Sequence, residues 1–206
     1  MDQFQPNTRF SIFPPGIKYL LIWNAIFFLA TINVFVGGYT PLGKFLSDYI
    51  VLQPFGHGFM PWQLVTYMFL HASFGHIFFN LLALWIFGQA IENLWGTRRF
   101  LVYYFLTGIG AGLFHLVLNS NPVIGASGAV YGILLAFGMM FPNRYIVMLF
   151  PPIPMKAKYF VAMFGALELL NGMGQTNSGI AHFAHLGGLV VGFILIKLWK
   201  IKRPGL

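Results

Sequence analysis

Residues 125–128 read Gly-Ala-Ser-Gly, and residues 181–185 read Ala-His-Phe-Ala-His. A serine hydroxyl and an imidazole are the minimum set for nucleophilic acyl transfer. The histidine takes the hydroxyl proton and the serine attacks a carbonyl carbon. His76 and Asn80, with the backbone N–H groups at the start of the apolar run that holds Ser127, could donate to the charge developing on the carbonyl oxygen. Two other routes to peptide cleavage lack their residues. The six histidines form no HExxH pattern for zinc. The two aspartates, Asp2 and Asp48, both lie outside the apolar runs. His71, His76, His182 and His185 could in principle hold a metal, but no carboxylate lies near them in sequence to activate a water. No metal or cofactor is therefore expected.

The elements that must position these groups are apolar. Hydrophobic residues make up 58% of the chain and charged residues only 8%, whereas a soluble domain carries roughly 25% charged residues. Such a chain cannot cover itself with a wetted surface and belongs in a bilayer. Cysteine is absent, which excludes disulfides and thiol catalysis. Crossing the hydrocarbon takes about 20 apolar residues, and six runs approach that length: about 17–37, 62–91, 100–118, 123–141, 158–173 and 180–199. The fifth is short and contains Glu168. The expected class is an all-α membrane protein, a bundle of six transmembrane helices over 17–200. Residues 1–16 and 201–206 form its tails. The first run is too long, and too poor in small residues at its end, to be a signal peptide.

Six spans place both termini on one side. Arg9, Lys18, Arg98, Arg99, Arg144, Lys156, Lys158, Lys197, Lys200, Lys202 and Arg203 fall on that side, and only Lys44 on the other. Basic residues stay cytoplasmic, so both termini are expected there. The net charge of +8 is then a topology signal and a contact for anionic lipid, not a sign of nucleic-acid binding. Spans two, four and six all run from outside to inside. Ser127, His182, His185, His71, His76 and Asn80 therefore share the outer half of the membrane, where polar side chains are costly and mark a functional interior.

Each has a structural reading as well. Gly128 with Gly132, and Gly188 with Gly192, have the spacing of small-residue helix contacts, and Ser127 alone could belong to such a face. His115 reads as a packing or hydrogen-bonded residue, and Asn24, Asn33 and Thr107 as helix-to-helix hydrogen bonds. The combination favours chemistry. At about 100° per residue, His185, Gly188 and Gly192 fall within about 60° of one another. The glycines thus open for close approach the face that carries His185, and span four is the best partner. Tyr131, four residues after Ser127, could orient the imidazole by stacking. His76 and Asn80 share one face of span two.

Together the segments HASFGHIFFN (71–80), ENLWGTRRF (92–100), GASG (125–128) with Tyr131, and AHFAHLGGLVVG (181–192) resemble the rhomboid intramembrane serine proteases, of the bacterial six-helix type, in spacing and in order. The resemblance implies Ser127 as nucleophile and His185 as general base. It implies His76, Asn80 and Gly125 around the oxyanion, and Glu92 to Gly96 as a structural segment. It implies a water-filled outer cavity, loop 38–61 lying partly in the interface, and span five as the gate for a substrate helix. Transmembrane proteins would be the substrates, in a bacterial inner membrane, with the site opening to the outer side. Where the family often has Trp-Arg in the first loop, this chain has Trp62-Gln63. No third member of a triad is visible in sequence, so packing is expected to hold the histidine. The alternative reading is a rhomboid-like protein that binds client transmembrane helices without cutting them. The Pro-rich stretch 150–156 is expected to break the chain between spans four and five.

Overall fold

A computed structural model describes residues 10–36, 41–148, 151–174 and 181–204, with the side chains of 32–36 set aside. Arg9 and the side chain of Asn33 lie outside the described residues. The helices are α1 (Pro15–Val36), α2 (Pro41–Tyr49), α3 (Gln63–Thr66), α4 (Phe74–Trp95), α5 (Thr97–Leu118), α6 (Ser127–Met140), α7 (Ala157–Met173) and α8 (His182–Leu198). A 3-10 turn, Tyr67–Phe69, follows α3, and the strands β1 (Tyr145–Val147) and β2 (Pro154–Lys156) lie between α6 and α7. By length and composition alone, α4 and α5 are apolar enough to cross a membrane. The stretch Pro15–Thr31 of α1, and α6 and α8, are apolar but shorter.

The helices form a bundle in which α8 packs chiefly on α5 and α6. The core runs through Leu84, Ile91, Phe100, Tyr103, Tyr104 and Ile133. Outward faces also carry apolar side chains, among them Phe74, Phe79, Val117, Leu170 and Leu198. A helix that is apolar all round is at home in lipid. Glycine sets the closest approaches. A Cβ at Gly188 would overlap the Gly128 carbonyl, and one at Gly192 would lie 3.4 Å from Gly132 Cα and overlap the Tyr103 hydroxyl. Helices α6 and α8 therefore meet on the glycine faces anticipated from sequence.

The fold is predominantly helical, and β1 and β2 pair antiparallel, Tyr145 opposite Lys156, where prolines stop the helical ladder between α6 and α7. Three expectations need correction. The second apolar run is not one continuous helix from 62. The apolar run first makes α3 and the 3-10 turn, and α4 starts at Phe74, where the Ser73 side chain caps it by accepting from His76 N at 3.2 Å. His71 thus precedes the helix. The fourth helix begins at Ser127 rather than 123, because Gly125 turns the chain at φ +120°. Finally, Thr107 bonds within its own helix, to the Tyr103 and Tyr104 carbonyls, whereas Asn24 both donates to the Leu20 carbonyl of α1 and meets the Tyr104 side chain of α5. A side chain that reaches the carbonyl one turn back needs no partner helix.

Two anchors hold the frame. Glu92, buried near the end of α4, accepts from Gly16 N and Ile17 N at 2.7 Å each and from the Thr97 hydroxyl at 2.7 Å. The first N–H groups of a helix have no partner inside it, and a carboxylate there also meets the positive end of the helix dipole. Glu92 therefore caps α1 from a different helix, which explains the structural role the resemblance implied for this segment. Gln63 is fully buried in the first loop. Its carbonyl accepts from Gln53 N at 3.1 Å and Met60 N at 3.0 Å, and its amide donates to Asp48 O at 3.0 Å. Trp62 donates to Tyr49 O at 2.9 Å. The Trp62-Gln63 pair thus ties down the loop where the family often has Trp-Arg.

Candidate active site

The loop before α6 is stitched to the first loop: Leu52 and Val123 bridge in antiparallel fashion, and Gly125 N donates to Tyr67 O at 2.9 Å. This fixes the start of α6. Ser127 is its first residue, and Ala126 before it offers no side-chain cap, so the first N–H groups of the helix are left for another acceptor. Across from Ser127, His182 opens α8 and His185 lies one turn further on. The hydroxyl of Ser127 is 2.8 Å from His185 Nε2. Tyr131 stacks on the His185 ring, centroids 4.3 Å apart and planes within 9°.

Gly125 has a second constraint besides its φ. A Cβ there would lie 2.7 Å from His76 Nε2 and 3.8 Å from Ser127 Oγ, so His76 reaches into the space beside the serine because residue 125 is glycine. The rings of His71 and His76 meet edge to face at 4.9 Å. His71 is fully buried with neither ring nitrogen hydrogen-bonded. Asn80 is buried, and its amide donates to the His76 carbonyl at 2.9 Å, which engages one of its two N–H groups. His115 stands apart and bonds the Asn121 carbonyl at 2.9 Å.

One residue at the centre was not anticipated. Glu168 of α7 is buried with His182 and His185, each at most 8% exposed. Its Oε1 accepts from the Tyr131 hydroxyl, and its Oε2 lies 2.6 Å from His182 Nδ1. The same Oε2 is 3.1 Å from His185 Nδ1. That approach is within ion-pair reach but off the direction of a ring hydrogen bond, and His185 Nδ1 has no aligned acceptor. The expectation that packing holds the histidine is therefore corrected, and a carboxylate remote in sequence stands beside the histidines in space. Donor atoms of Glu168, His182 and His185 lie within 4.8 Å of one another, a set that zinc chemistry could use. The available signal was the cost of a lone carboxylate inside an apolar run.

The family model of the Rhomboid domain matches residues 58–200. The chain belongs to the rhomboid family. That family is membrane-integral. Among curated relatives, the chain is 34% identical to the rhomboid protease GluP of Bacillus subtilis over 149 residues, covering 70% of this chain and 27% of that protein. It is 31% identical to the mitochondrial rhomboid protein 1 of Saccharomyces cerevisiae, covering 98% of this chain and 58% of that one. It is 32% identical to the rhomboid protease AarA of Providencia stuartii, covering 69% and 57%. This rhomboid chain thus spans about a quarter of the first and rather more than half of the others. Relatives from a mitochondrion and from bacteria stand side by side, so kinship alone assigns no compartment.

Proposed function

We propose that the protein is an intramembrane serine endopeptidase that cleaves transmembrane segments of membrane proteins. The observation that carries this reading is the 2.8 Å contact between Ser127 Oγ and His185 Nε2 inside an apolar bundle. Ser127 attacks the scissile carbonyl carbon while its hydroxyl proton passes to His185 Nε2. The oxyanion so formed is met by His76, Asn80 and the first N–H groups of α6. The intermediate collapses, the amine leaves with the proton from His185, and water then hydrolyses the acyl-serine by the same two steps. Tyr131 keeps the imidazole in plane. Gly128, Gly188 and Gly192 set the distance between α6 and α8, and Gly125 makes room for His76. The chain is read as six spans with both termini cytoplasmic in a bacterial inner membrane, with the site near the outer face and α7 as the gate.

The length of α6 supports a wetted site. Its 14 residues extend about 21 Å, less than the roughly 30 Å of hydrocarbon, so its N-terminus lies at the floor of a depression that water can fill. The basic residues support the orientation: Trp95, Arg98, Arg99 and Trp199 line one groove, and Lys158 and Arg203 line a second, at the bundle end remote from Ser127. A fluorophosphonate should label the wild-type protein at Ser127 and should fail to label Ser127→Ala. Absence of wild-type labelling would favour the non-cleaving binder.

Two further results are expected. Asn80→Ala should lower kcat with KM nearly unchanged, because an oxyanion donor acts on charge present only in the transition state. Single donors are worth about 10²–10³-fold. Here roughly 10- to 10²-fold is expected, since His76 and backbone N–H groups remain. A rise in KM alone would make Asn80 a packing or substrate-binding residue. Treatment with EDTA or phenanthroline should leave cleavage intact, because His185 is needed as a base and not as a ligand. Loss of activity that zinc restores would instead assign Glu168, His182 and His185 to a metal.

A further inference from the structure

We propose that Glu168 is a positioning residue for His185, so that α7 completes the catalytic arrangement from outside the two helices that carry the serine and the histidine. The inference rests on the Ser127–His185 reading and extends it. Its physical basis is tautomeric. To accept the Ser127 proton, His185 Nε2 must be bare, so the neutral ring must carry its hydrogen on Nδ1. A carboxylate oxygen 3.1 Å from Nδ1 favours that tautomer and balances the imidazolium charge that forms during attack. The off-axis approach is the resting geometry. Catalytic hydrogen bonds in free enzymes are often long or poorly aligned and tighten with substrate.

Two more contacts point the same way. Tyr131, which stacks on His185, donates its hydroxyl to Glu168 Oε1. His182, one turn before His185, shares Oε2. One carboxylate therefore touches the ring's Nδ1 edge, the ring's stacking partner and its neighbour in α8. All three contacts come from a helix that packs on α6 and α8 but carries neither Ser127 nor His185. Displacement of α7 would withdraw the carboxylate from all three at once. Cleavage is thereby coupled to the docking of α7.

The test uses the full-length protein in detergent. Wild type, Glu168→Gln and Glu168→Asp are compared for the rate of fluorophosphonate labelling at Ser127, for kcat and KM on a transmembrane substrate, and for the protonation of His185 by nitrogen NMR. Glutamine keeps the volume and an acceptor but loses the charge. It should slow labelling and lower kcat by about 10- to 10²-fold, the scale of a misplaced catalytic group, with KM little changed and thermal stability near wild type. Aspartate should restore part of the rate. Wild-type His185 should show its hydrogen on Nδ1, and Glu168→Gln should lose that preference. Wild-type labelling rates in Glu168→Gln would overturn the proposal while leaving the dyad standing. An Nε2–H tautomer in the wild type would overturn both the proposal and the resting state that the dyad requires, a readout that stands even if the glutamine variant does not fold. A wild-type protein that is never labelled at Ser127 would remove the dyad and this inference together.

Discussion

Alanine at Ser127 or at His185 should each lower cleavage of a transmembrane substrate by about 10⁴- to 10⁶-fold, and the double variant should be no worse than either single one. The non-additivity follows from the geometry. The hydroxyl is useful only while a bare imidazole nitrogen stands 2.8 Å away, and the imidazole has no other proton to take from the nucleophile. Once one partner is gone, the other contributes nothing further to lose. Both variants should fold, since each substitution removes atoms from a half-open or buried site without adding any. The measurement is kcat/KM for wild type, both singles and the double in one detergent. Appreciable turnover by Ser127→Ala, or clearly additive losses, would mean that the two residues act independently and that the nucleophile lies elsewhere.

Gly188→Val should cost more than 10²-fold in activity and about 3 kcal/mol or more in stability, the upper range for forced overpacking. Even the first added carbon would overlap the Gly128 carbonyl. Backbone cannot rotate aside as a side chain can, so α8 must part from α6. A separation of roughly 1 Å is already enough to cost about 10²-fold when it moves a catalytic group, and His185 rides on α8 one turn from the substitution. Gly188→Ala should show the same losses in milder form. Thermal unfolding in detergent and the Ser127 labelling rate measured on one preparation check both effects. An active, stable Gly188→Val would require α6 and α8 to meet along some other line.

The parts of the site that were legible in sequence are local. Gly128 and Gly132, and His185, Gly188 and Gly192, repeat at helical spacing, and a repeat of that kind states which face is opened for contact. Tyr131 follows Ser127 by one turn, so its place near the imidazole could be anticipated. What escaped depends on chain separation. Glu168 meets His182 across 14 residues and Tyr131 across 37, from a helix whose rotation about its own axis no periodic pattern reveals, because nearly every residue of α7 is apolar. The start of α4 is hidden in sequence for a related reason. Residues 62–73 are apolar enough to continue a span, and only Ser73, a cap residue, marks the break. Gln63 stood out only as the partner of Trp62, and its bonds to Gln53, Met60 and Asp48 were not legible, since an amide at the head of an apolar run names no partner.

The cap that Glu92 places on α1 bears on how the protein can be divided. Residues matched by the family model begin at 58, yet α1, ending before that point, supplies Gly16 N and Ile17 N to a carboxylate buried within the matched region. A fragment trimmed to 58–200 would retain the acid and discard two of its donors. It would also expose Ile17 and Leu20's share of the core. An uncompensated charge would then sit at the α4–α5 junction, in contact with Thr97 alone of its three partners. Expression of the matched segment by itself is therefore a poor route to a working protein. Supplying residues 10–36 as a separate peptide should recover the missing half of this clasp in trans, as a split protein whose reassembly is driven by one buried acid and the core contacts of Ile17 and Leu20.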